Sequence, residues 1–216
     1  MDMRTRTFLI LLSVTLLVWG CQTVYYDTME RMGIHKREIL VDRVEAAQKS
    51  QEEAKEQFAD VLEAFRATVK VDGGKLQETY DRLKAEFDES VSRADVVRTR
   101  IKDVKNVADA LFDEWESELG QYTSESLRNS SKEQLEITRG EYGKLLTAMQ
   151  TAESKMNPVL TVFNDQVLFL KHNLNARAIA SIQQEVTNME REVGNLIEDM
   201  NLAIAEAEAF VKQLKE

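Results

Sequence analysis

The chain has 216 residues, of which 43% are hydrophobic and 31% charged, and its single proline and eight glycines are too few turn-formers for a sandwich, a barrel or a βαβ fold. With 28 basic against 38 acidic residues the net charge is −10, which excludes the basic footprint that attracts nucleic acid phosphates. The composition predicts an all-α protein.

The chain opens as an address. Arg4 and Arg6 precede an apolar run over residues 7–18, and Trp19 and Gly20 lead to the only cysteine, Cys21. About a dozen apolar residues fall short of the roughly 20 that a spanning helix needs, so an export signal is the better reading and a permanent transmembrane anchor the competing one. Val18, Trp19, Gly20 and Cys21 resemble a bacterial lipobox, with Trp19 standing where such motifs carry a small residue. Residues 1–20 are then a lipoprotein signal peptide and Cys21 the acylated residue. A lone thiol in an exported chain can form no internal disulfide, and acylation consumes it. Loss of residues 1–20 removes two basic residues and one acidic, taking the charge from −10 to −11. Several acyl chains, at about 0.8 kcal/mol per buried methylene, anchor such a body without a polybasic patch. Gln22 follows Cys21, and by resemblance to enteric-type sorting it favours the periplasmic face of the outer membrane.

Residues 21–35 show no clear period and read as a tether, and residues 36–216 as one helical coiled-coil domain. From Lys36 the apolar positions step by four and three through Leu40, Val44, Ala47, Gln51, Ala54, Phe58, Val61 and Phe65, as a heptad requires. This predicts a helix over about 36–71, stopped by Asp72-Gly73-Gly74. A second helix is expected from Leu76 through Trp115 and Tyr122 to about Leu127. Ser130 with Glu133, or Ser131 with Gln134, would then cap a third helix whose seam runs from Leu135 to Met156. Pro158 leaves two readings, a kinked helix or a new start. The seam slips between Leu170 and Ile182 and then runs cleanly to Leu214. A bend near residues 172–175 would close a four-helix bundle, and without it the last thirty residues would overhang a three-helix body and demand a partner, most simply a second copy. Either way the fold class is a three- or four-helix bundle of long antiparallel coiled-coil helices.

Chemical motifs are scarce. The two histidines, His35 and His172, lack the Glu-x-x-His context of carboxylate-bridged diiron bundles, and one cysteine cannot build a thiolate site. Phosphate-loop, nucleophile-elbow and dinucleotide motifs are absent from the sequence. The carboxylates Asp113, Glu114, Glu116 and Glu118 point in several directions at helical spacing and read as a solvated face. The densest polar group, Lys171, His172, Asn173, Asn175 and Arg177, falls where the heptad stutters. It is the candidate interaction patch, or else a bend and capping segment. Phe112, Trp115, Phe163 and Phe169 read as core anchors.

Residues 32–38 (MGIHKRE), 71–74 (VDGG), 110–116 (ALFDEWE) and 158–176 together resemble an uncharacterised family of bacterial envelope lipoproteins, domain of unknown function 2959 (DUF2959), over nearly the whole mature chain. The resemblance implies a periplasmic, lipid-anchored, helical protein and carries no catalytic residue. The expectation is therefore a non-enzymatic coiled-coil scaffold or protein-interaction module, without cofactor or metal. Its partners are the membrane through its anchor and other envelope proteins or itself, not nucleic acid. The alternative is a small-ligand carrier or an accessory subunit of an envelope enzyme.

Overall fold

The computed structural model describes residues 35–68, 75–173 and 176–216, without the side chains of 176–181. The signal peptide, Cys21, all of the tether but His35, the 72–74 turn and Asn175 lie outside the described residues, as does the side chain of Arg177. The chain forms four long helices, α1 (Lys36–Thr68), α2 (Leu76–Glu118), α3 (Glu125–His172) and α4 (Ala176–Lys215). No strand occurs among the described residues. At 1.5 Å per residue the helices run from roughly 50 Å for α1 to roughly 72 Å for α3.

Each helix packs on the next along the chain, and α1 also packs on α4, which closes a four-helix ring. The seam residues fill its centre. Leu40, Val44, Phe58 and Phe65 of α1, Leu83, Val97 and Val104 of α2, Leu145, Met149 and Phe163 of α3, and Met189, Leu196 and Met200 of α4 are all buried in one cluster. Burying each such side chain stabilises by about 1.5–3 kcal/mol, so packing rather than helix propensity holds the bundle. Phe163 stacks on Phe65 with ring centroids 5.2 Å apart and also reaches Phe58 at 6.4 Å, joining α3 to α1 across the core.

Polar pairs on the rim fix the antiparallel register. Gln48 donates to Glu208 at 3.0 Å, Lys55 to Asn201 at 3.2 Å and Arg66 to Glu190 at 2.8 Å, a constant register between α1 and α4. Arg93 reaches Glu53 at 2.6 Å between α1 and α2, and Arg98 reaches Asn157 at 2.5 Å between α2 and α3. Exposed pairs of this kind contribute about 0–1 kcal/mol each, so their role is alignment more than stability.

Two expected boundaries move. The second helix stops at Glu118 and passes through a 3-10 turn, Leu119–Gln121, to an extended Tyr122 at φ −68°, ψ 123°. The third helix then starts at Glu125, with Ser124 as its cap accepting from the Leu127 N–H at 3.4 Å, rather than near Ser130 or Ser131. Ser124 also has an acidic residue, Glu125, behind it in the first turn, where the helix dipole favours one. Ser131 lies inside α3, and its hydroxyl accepts the Trp115 indole N–H at 2.8 Å. At Pro158 the helix continues rather than restarting. The hydroxyls of Thr161 and Ser154 bond the carbonyls of Asn157 and Thr151 on either side of it, at 2.9 and 2.8 Å. The bend does fall near residue 172, so four helices close the core and no unpartnered last helix remains.

Candidate functional site

The expected patch at the end of α3 resolves into a helix terminus. Lys171 and His172 are exposed in the last turn, where positive charge suits the carbonyl end of the helix dipole. Asn173 caps the end: its N–H donates to the Leu170 carbonyl at 3.1 Å and its side-chain amide to the Phe169 carbonyl at 3.0 Å. These residues are thus gathered at one bundle end as a cap. Beside them Leu168 and Phe169 are 51% and 38% exposed, which corrects the expectation that Phe169 is a core anchor. The regular seam steps from Phe163 to Val167 to Leu170, four and then three, turn Phe169 outward while Val167 and Leu170 stay in.

The acidic group of α2 diverges as its spacing requires. Glu114 meets Lys36 at 3.0 Å, while Glu116 turns to Arg139 of α3 at 2.8 Å. Arg139 also lies over the Phe112 ring, 5.4 Å from its centroid. Among the described residues, no group of three metal-ligating side chains converges and no helix is long and apolar enough to cross a membrane.

The opposite end of the bundle holds a cleft of mixed polar and apolar lining, about 510 Å³, where α1 begins and α4 ends. Arg37 of α1, Trp115 and Glu118 of α2, Tyr122 of the connecting turn, Thr138 of α3 and Leu214 of α4 lie around it. Specific bonds hold parts of its wall: the Arg37 guanidinium donates to the Leu214 carbonyl, and the Trp115 indole N–H donates to the Ser131 hydroxyl at 2.8 Å. Lys36, 7% exposed, is tied to Glu114 on the cleft wall.

Just inside this end, Tyr142 packs edge-on to Phe112 at 5.4 Å and against Phe210 at 6.2 Å, and its hydroxyl has no hydrogen-bond partner. Burial, reinforced by the negative charge of Asp109, pushes the phenol well above its ordinary value. Deeper in the bundle, both polar atoms of the Gln51 amide are buried without a partner, and the residue is 0% exposed. The register of Gln48 with Glu208 and Lys55 with Asn201 sets Gln51 between Ala203 and Ala207 of α4, and Ala47 and Ala54 flank it on α1.

Neither the cleft nor the orphaned amide is evident from motif reading. Gln51 breaks an otherwise apolar heptad, which is the signal that could have singled it out. The cleft has no signal, because its lining comes from four helix ends far apart in sequence.

The family model described as "Protein of unknown function (DUF2959)" matches residues 25–214. No curated protein matches the chain.

Proposed function

We propose that this chain, which belongs to the DUF2959 family, is a non-enzymatic lipoprotein of the bacterial envelope. It acts as a rod-like scaffold or interaction module, acylated on Cys21 at the periplasmic face of the outer membrane. The observation that carries the reading is the core. The apolar stripes of all four helices are spent on one another along the whole length, from Ile39 and Leu214 at one end to Leu170 and Ile182 at the other. A bundle filled in this way presents surfaces rather than a chamber, and surfaces serve partners. The Arg4, Arg6, apolar run and Gly20-Cys21 order supports the address.

Palmitate labelling of the parent chain and of Cys21→Ala tests the anchor, with label expected only in the parent. Crosslinking in whole cells tests the role: a trapped envelope protein or a self-adduct is expected, and recovery of uncrosslinked chain alone overturns it. Native mass spectrometry separates the carrier reading, since a small molecule retained by the full chain would replace the scaffold with a carrier.

A further inference from the structure

The α2–α3 hairpin runs on past the other two helices at the cleft end. Lys36, the first residue of α1, bonds to Glu114, and Arg37 holds the Leu214 carbonyl near the end of α4, while α2 continues to Glu118 and α3 starts only at Glu125. Residues 121–130 of this overhang are all exposed, with Tyr122 at 40% and Leu127 at 60%. The cleft at its base has Leu111, Trp115, Tyr122 and Leu214 in its wall.

We propose that this cleft and the adjoining face of the overhang dock a basic, apolar-flanked segment of a partner polypeptide. A lysine or arginine side chain of that segment lies against Trp115 and Glu118, which are three residues apart and so neighbours on one face of α2. The proposal rests on the reading of the chain as an interaction module and names the chemistry of its partner.

Hydrogen-bonding capacity selects the charge. The Trp115 indole N–H is engaged by Ser131, the Thr138 hydroxyl by the Gln134 carbonyl and the Arg37 guanidinium by the Leu214 carbonyl. Trp115 therefore offers an occupant its ring rather than its N–H, and the ring face attracts a cation. Glu118 also lines the cleft, and among the described residues it has neither an ion pair nor a hydrogen bond. A carboxylate accepts and does not donate, so its complement is a positively charged donor. The place of Glu118 adds to this. It is the last residue of α2, whose final turn contains no basic side chain, so the carboxylate and the carbonyl end of the helix dipole present the same sign. A cation arriving there relieves a repulsion that the fold leaves standing.

Apolar surface selects a polypeptide. Tyr122 and Leu127 extend that surface beyond the cleft along the overhang, where a lone ammonium or guanidinium would leave it exposed and a segment with apolar neighbours covers it. A second copy brings a further charge of −10, and an anionic lipid surface also carries the wrong sign.

The test uses the full chain carrying Trp19→Phe, which leaves Trp115 as the sole tryptophan. The probe is the peptide acetyl-Leu-Arg-Leu-Lys-Leu-amide, with a neutral control in which glutamine replaces both basic residues. The basic peptide should change Trp115 emission saturably. Glu118→Gln should weaken its binding about fivefold, the scale of one charge-assisted contact, with the circular dichroism kept. Leu168→Gln, at the far end of the bundle, should bind as the parent does. Equal affinity for the basic and neutral peptides overturns the proposal, as does an affinity untouched by Glu118→Gln. Arginine amide bound as tightly as the peptide assigns the cleft to a small cation, and emission that changes with chain concentration alone assigns it to a second copy. Either result overturns the docking of a partner segment. In cells, a photoreactive benzoylphenylalanine in place of Tyr122 or of Leu168 separates this inference from the reading it rests on. Adducts through position 168 and none through 122 overturn the cleft and leave the scaffold role standing, whereas no adduct through either removes both.

Discussion

The Phe163 ring of α3 lies on the Phe65 ring of α1 at 5.2 Å and 22°, five residues beyond the proline that interrupts the α3 ladder. The contact crosses the core rather than joining sequence neighbours. It accounts for the persistence of α3 through Pro158: the residues after the proline are held by packing, so the missing backbone hydrogen bond does not end the helix. Phe163→Ala should therefore cost about 3–5 kcal/mol, the range for a fully buried aromatic. Urea or guanidinium unfolding followed by circular dichroism measures it, and a loss below about 1 kcal/mol would show that the two rings are not close-packed.

Gln51 offers the opposite sign. Its amide loses water on folding and gains no partner, at a cost of about 1–3 kcal/mol. Met has similar length and no polar atoms, and the surrounding alanines Ala47, Ala54, Ala203 and Ala207 leave it room. Gln51→Met is expected to raise the denaturation midpoint. A lowered midpoint would mean that the amide is hydrogen-bonded, with an internal water the first partner to look for.

The pH dependence at the alkaline end follows from Tyr142. Its folded value is raised above the ordinary 10.0, first by burial and then by the charge of Asp109. An acid whose folded value is raised favours the protonated state in the fold, so its contribution is whole below about pH 10. The contribution is lost as the pH rises from there toward the folded value. Tyr142→Phe keeps the packing on Phe112 and Phe210 and removes the ionisable group, and should leave stability at pH 7 within about 1 kcal/mol of the parent. Above pH 10 the variant should unfold less readily. Equal alkaline sensitivity of the two chains would assign the effect to other groups.

Leu168 and Phe169 test whether the far end of the bundle is a surface or a seam. Both are exposed beside the Asn173 cap, so Leu168→Gln with Phe169→Gln should change the unfolding free energy by no more than about 0.5 kcal/mol. The same variant crosslinked in cells reads the surface's role: a lost adduct places the partner at this end. A large drop in stability of the isolated chain would show instead that these side chains are buried.

Much of the architecture was written in the sequence, because heptad spacing is a local property. Steps of three and four through Leu40, Val44 and Phe58, or through Val193, Leu196 and Met200, suffice to predict amphipathic helices. Boundaries are less legible: Ser124, Ser130 and Ser131 all carry helix-starting chemistry, and the choice of Ser124 goes with the Trp115 indole engaging Ser131 inside the helix, a contact across the hairpin. The stutter after Leu170 leaves both a bend and a straight overhang open, with helix length favouring the bend only weakly, and closure of α4 onto α1 selects the bend.

Tertiary structure alone decided the rest. Four helix ends converge to form the cleft around Trp115, Gln51 is left without a partner, and Tyr142 is buried beside Phe112 and Phe210. Each depends on which residues meet across helices that are distant in sequence. The periodicity of one helix fixes which face turns inward, and it holds no information about what stands opposite.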